Sequence, residues 1–155
     1  MNALGREEAQ DLLRGCCGSA QWARRMAEER PFRDLEHARR TADRLWRALS
    51  REDWLEAFRS HPRIGDRSAS GQAALEQAGA TSAAARLLEA LAAGNRAYEK
   101  KFGRIFLVCA SGRSAAEMLA LLEERLGNDP ETEIAVAAEE QRKITQLRLE
   151  RLLAS

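Results

Sequence analysis

The chain carries two histidines, and one of them opens the run His61-Pro62-Arg63-Ile64-Gly65-Asp66. Histidine is the side chain whose ordinary charge change lies near neutral pH, which suits it to proton transfer. Pro62 removes a backbone donor and biases His61 away from helix, while Gly65 lets the backbone turn or approach a ligand closely. Spacing alone leaves two readings open: an imidazole held at a pocket mouth as an acid or base, or a loop histidine that caps a helix end or faces solvent. Glu76-Gln77 sit among Ala73, Ala74, Leu75 and Ala78. A carboxylate with such small or apolar neighbours feels less solvent, which raises its pKa or lets it pair with an imidazole. An ordinary glutamate of a short helix is the other reading. Arg148, between Leu147 and Leu149, offers a guanidinium that either forks onto a carboxylate or pairs with a surface glutamate. His37 stands off the apolar stripe of its helix and reads as a solvated surface position.

Cys16, Cys17 and Cys109 are odd in number and two are adjacent, so they form no disulfide framework. The Cys16-Cys17 pair lacks a Cys-x-x-Cys spacing and a nearby histidine. It reads as helix-end packing, since a free cysteine behaves mainly as a small hydrophobe.

The segments that must position these groups read as helices. The first runs from Glu7 to Cys16, with Ala9, Leu12 and Leu13 on one face, and is ended by Gly18. Ser19 caps a second helix carrying Trp22 and Met26, which Pro31 stops. The third, Leu35 to Leu49, repeats Leu35, Ala38, Ala42, Leu45, Trp46 and Leu49 at helical spacing. Ser50 with Asp53 resembles a capping box for a short helix that turns Trp54, Leu55 and Phe58 inward and delivers the chain to His61. A short helix through Leu75, Glu76 and Gln77 ends near Gly79. Thr81 or Ser82 caps a long helix with the stripe Leu87, Leu88, Leu91, Tyr98 and Phe102, broken at Gly103; Asn95 sets a polar group beside that stripe. Ile105 to Cys109 is a lone apolar run with no strand to pair with, so it reads as buried extended backbone or a helical turn. Ser111-Gly112 turns the chain, Ser114 with Glu117 caps the next helix, and Asp129-Pro130 opens the last, which runs to about Leu153.

At 155 residues, with 45% hydrophobic and 32% charged, the chain is globular and long enough to bury the core of a single domain. A formal net charge of +1, with opposite signs interspersed, argues against nucleic acid or a membrane surface as partner. Basic pairs such as Arg24-Arg25 and Arg39-Arg40 are interleaved with acids and read as solvated faces. No segment approaches the ~20 apolar residues a membrane helix needs, and no apolar signal core is visible, so a soluble, cytoplasmic protein is expected. No fixed-period repeat is present.

Taken in order, several motifs resemble one enzyme family. They are Phe58-x-x-His61-Pro62-Arg63-Ile64-Gly65, Glu76-Gln77-Ala78 and Asn95-x-x-Tyr98-x-x-x-Phe102-Gly103-x-x-Phe106. Gly112-Arg113-Ser114, Arg125-Leu126-x-Asn128-Asp129 and Ile144-x-x-x-Arg148-Leu149 follow. The chain is similar to the 2-oxo-4-hydroxy-4-carboxy-5-ureidoimidazoline (OHCU) decarboxylases of uric acid degradation. The similarity runs from about Trp54 to Leu153 and continues weakly into the N-terminal helices. It implies one all-α domain over residues 1–155, a bundle of about eight helices. It implies no metal and no organic cofactor, a small-molecule substrate, and conversion of OHCU to (S)-allantoin with loss of carbon dioxide. Members of the family often form homodimers.

By the same resemblance His61 is the catalytic acid/base, with Pro62 lining its pocket. Glu76 binds the ligand's N–H groups and tunes His61, with Gln77 beside it. Ile105, Phe106, Leu107 and Val108 form a wall against the planar ring, and Arg148 reaches the substrate carboxylate. Two positions depart from the family pattern. Ala73 stands where many relatives carry serine, and Arg104-Ile105 replaces the commoner Phe-Pro after the Phe-Gly run. They motivate an alternative: a non-catalytic helical module of the same fold that binds ureides or purine-like ligands.

Overall fold

The structure, a computed structural model, describes residues 1–63 and 82–154. Among these residues every regular element is a helix. They are α1 (Arg6–Arg14), α2 (Ala20–Glu28), α3 (Leu35–Arg47), α4 (Arg51–Arg59), α5 (Ser82–Phe102), α6 (Ala115–Leu126) and α7 (Pro130–Ala154). The all-α expectation holds. The predicted short helix through Leu75 and the candidate cap Thr81 lie outside the described residues, and Ser82 is the first residue of α5.

Side-chain caps explain where the helices start. Ser19 Oγ accepts from the Trp22 N–H at 3.2 Å, Ser50 Oγ from Asp53 at 3.3 Å and Ser114 Oγ from Glu117 at 3.1 Å. In the last two the hydroxyl also donates to the partner's carboxylate, at 3.0 and 3.2 Å, so each box is closed by side chains. Asp129 accepts from the Thr132 N–H at 2.8 Å. A cap the sequence reading passed over is Asp34, which accepts from the His37 N–H at 2.7 Å. His37 sits at the surface, as expected, but with local partners. It is half-buried, its Nδ1 accepts from the Arg33 N–H at 3.1 Å and its ring meets Phe32 edge-on at 6.1 Å. At the third position of α3 the ring folds back onto the N–H of the residue before the Asp34 cap. α1 ends at Arg14, two residues before the predicted Cys16, because the chain turns at Gly15 and sends the Cys16 and Cys17 N–H groups to the Leu13 carbonyl.

Two compact units divide the chain: Met1–Ser60 with Ala138–Ser155, and His61–Ala137. In the first, Leu13, Trp22, Met26, Ala38, Phe58 and Leu149 are fully buried. All three tryptophans in it place their indole N–H on a carbonyl, as buried indoles require: Trp22 on Ala42, Trp46 on Ala138 and Trp54 on Trp46, at 2.9–3.1 Å. Trp46 also packs on Trp54 and Phe58, with ring centroids 5.8 and 6.5 Å apart. That cluster fixes α4, the helix that leads to His61. Arg24 meets Gln21 and Glu28, Arg39 meets Gln146 and Arg40 meets Glu36, so these basic side chains have local partners. No helix among the described residues is long and apolar enough to cross a membrane.

Gly18 is needed for close approach. A Cβ at this position would lie 2.4 Å from Ser60 Oγ and 2.5 Å from Ser60 Cβ, at the residue that caps α4. A Cβ contact of that kind is relieved only by moving backbone. Gly18→Ala is therefore expected to lower stability by about 1–3 kcal/mol in urea unfolding, and a variant as stable as the parent would show that α4 yields freely there.

The second unit buries Leu91, Tyr98, Phe106, Val108 and Leu122, with Leu88, Phe102, Met118 and Leu119 packed against them. α5 stops at Gly103, whose φ of 73° lies in the left-handed region that glycine adopts without strain and whose N–H bonds the Glu99 carbonyl at 2.8 Å.

Candidate functional site

Ser60 closes α4 by donating its hydroxyl and its N–H to the Ala57 carbonyl, at 2.7 and 3.2 Å. His61 follows immediately in a bend and is half-buried, while Pro62 and Arg63 are exposed. The proline accounts for the stop, since it disfavours helix at the residue before it. Arg63 Nε donates to Glu99 Oε1 on α5 at 2.7 Å. The arginine side chain is 59% exposed, so the pair is worth about 1 kcal/mol at most and serves mainly to direct the chain after His61.

Ile105 to Val108 belongs to no regular element, and no strand lies beside it among the described residues. Phe106 and Val108 enter the core cluster of the second unit, Leu107 is buried as well, and Ile105 is half-buried. Arg104, just before it, folds back so that its guanidinium lies 5.6 Å from the Phe102 ring centroid.

What holds this run is a buried polar group on three other elements. Arg125, near the end of α6, donates Nη1 to the Leu107 carbonyl at 2.6 Å. Its Nε and Nη2 fork onto the Glu133 carboxylate at 3.0 and 2.5 Å. Glu133, in the first turns of α7, also accepts from the Tyr98 hydroxyl and from Asn128 Nδ2, the latter at 3.2 Å. The two charged side chains are 5% and 0% exposed. The guanidinium lies 4.5 Å from the Phe106 ring centroid. Burial first, and the Glu133 carboxylate second, push the Tyr98 phenol well above its usual range, so it stays a donor.

Arg148 lies on α7 in the other unit and is half-buried. Among the described residues it has neither an ion pair nor a side-chain hydrogen bond. Its charge is felt by Cys16 and Cys17, but burial dominates there and pushes those thiols up to about 11 and about 12. Both remain thiols at neutral pH, and all three cysteines are free and buried. Among the described residues no group of three or more His, Cys, Asp and Glu side chains could hold a metal ion.

Of the residues singled out from the sequence, His61, Pro62 and the Ile105–Val108 run fall in the second unit and Arg148 in the first. Ala73, Glu76 and Gln77 lie outside the described residues. The sequence reading missed Glu133 and the role of Arg125. The signal available was an acid eight residues beyond an arginine, across the helix break at Gly127.

The model of the OHCU decarboxylase family matches residues 2–150. The uric acid degradation bifunctional protein of Arabidopsis thaliana is 40% identical over 97% of this chain and 49% of its own length, so the chain spans about half of that relative. The 2-oxo-4-hydroxy-4-carboxy-5-ureidoimidazoline decarboxylase of Haloferax volcanii is 30% identical, over 82% of this chain and 77% of its own. A crystal structure of OHCU decarboxylase in the presence of (S)-allantoin aligns with a TM-score of 0.79 and 42% identity. That alignment covers 94% of this chain and 99% of the other.

Proposed function

From the membership of this chain in the OHCU decarboxylase family, we propose that it removes carbon dioxide from OHCU to give (S)-allantoin in the breakdown of urate. The observation that carries the reading is the pairing of a half-buried His61 with an Arg63 already engaged by Glu99. Arg148, half-buried and without a carboxylate partner among the described residues, is the group we assign to the substrate carboxylate.

In this reading the C–C bond to the carboxylate breaks, and its electron pair passes into the conjugated ring. A proton delivered by His61 to the ring carbon that becomes the stereocentre balances the charge. No organic electron sink is required if the ring accepts the charge and the protein stabilises it. Glu76 binds substrate N–H groups and favours the protonated imidazole, with Gln77 and Ala73 beside it and Pro62 at the rim. The Ile105–Val108 run forms the wall that meets the flat ring. The Phe106 and Val108 side chains support it from the core. The family match runs through both compact units, which supports treating residues 1–155 as one domain. A cytoplasmic homodimer completes the proposal, its size to be read by light scattering.

The test is fresh OHCU, generated enzymatically because it decays unaided, with product followed by circular dichroism. Faster loss of carbon dioxide and optically active allantoin are expected. Racemic product at the unaided rate would overturn the reading, and ligand-induced stabilisation without turnover would favour the binding-only alternative.

A further inference from the structure

Among the described residues the run Ile105–Val108 has no sheet to hold it, yet a wall against a flat ligand must not drift. A guanidinium is a rigid planar fork of five N–H donors. Here Nε and Nη2 are spent on Glu133, which fixes the plane and aims Nη1 at the Leu107 carbonyl. The same plane lies over Phe106, so one side chain grips two consecutive residues of the run. Glu133 is in turn held by the Tyr98 hydroxyl and Asn128. Binding the carbonyl of Leu107 fixes the plane of the peptide that joins it to Val108.

We propose that Arg125, anchored by Glu133, is a positioning residue for catalysis: it sets the Leu107–Val108 peptide against which the substrate ring is held. This rests on the decarboxylase reading above, and extends it to a group that lies buried behind the wall.

Lysine at 125 keeps the charge, but its single flexible ammonium cannot reproduce the planar fork that fixes Glu133 and Leu107 together, and it loses the stacking on Phe106. Arg125→Lys is expected to lower kcat/KM by about 10- to 100-fold, mostly through KM, at a temperature where the variant is fully folded. Tyr98→Phe removes one bond to Glu133 and leaves the Arg125 fork and its bond to Leu107. It should lower the melting temperature while KM and kcat stay within about twofold of the parent. A merely structural role predicts parental kinetics for the folded fraction of both variants, and that result overturns the proposal. If Arg125→Lys fails to unfold cooperatively, Glu133→Gln takes its place, with KM expected to rise by about 3- to 10-fold; parental KM and kcat there overturn the proposal equally. An inactive parent overturns the decarboxylase reading itself, whereas an active parent with unperturbed variants overturns only the role of Arg125.

Discussion

Glu133→Ala is expected to cost about 3–5 kcal/mol in urea unfolding, the largest stability loss of any single truncation considered. The wild-type carboxylate is fully buried and accepts from Arg125, Tyr98 and Asn128. Removing it strands a guanidinium that is 5% exposed and leaves the Tyr98 hydroxyl without its acceptor. An unpaired buried charge is far more expensive than a lost surface pair, because nothing replaces the water it gave up. A loss under about 1 kcal/mol would show that Arg125 escapes to solvent and that the second unit is more yielding than its packing suggests. The network also sets an alkaline limb. The folded state holds the Tyr98 phenol above its ordinary value of 10.0, so it retains a proton that the unfolded chain releases. That contribution is complete below about pH 10 and is lost as pH rises further. The stability difference between parent and Tyr98→Phe should therefore shrink in strongly alkaline buffer.

What the sequence disclosed and what it hid divide along locality. Ser19, Ser50, Ser114 and Asp129 cap helices as expected because a cap and its target are three residues apart. That α4 stops before His61 was legible for the same reason, since Pro62 acts on its immediate neighbour. The Ile105–Cys109 run offered a choice between extended backbone and a helical turn. Pattern alone did not decide it, because what fixes the run is an arginine 18 residues away from Leu107. Glu133 meets Tyr98 across 35 residues and reads in the sequence as one more acid in a first helical turn. The place of His37 off the apolar stripe says nothing of the Arg33 N–H and Phe32 ring that it meets at the helix entry.

His61→Ala should lower kcat for OHCU decarboxylation by about 10² to 10⁴-fold while the far-ultraviolet circular dichroism spectrum is unchanged. The two halves of that expectation have separate causes. The rate falls because protonation of the ring then depends on water, which is neither placed at one face nor matched in acidity. Helicity holds because His61 lies beyond the cap of α4, which Ser60 and the buried Phe58 secure without it. Enantiomeric purity separates the proton-donor role from a binding role. A residue that only bound substrate would raise KM and leave the product optically pure. Loss of the proton donor should leave KM near the parent's and let protonation occur from either face, so that the residual allantoin approaches a racemate. An optically pure product at a reduced rate would place the stereochemical decision elsewhere, in the wall or in the residues that hold the carboxylate. Full parental rate would remove His61 from the chemistry altogether. In that case the bend after α4 would be no more than a helix end with an imidazole on it.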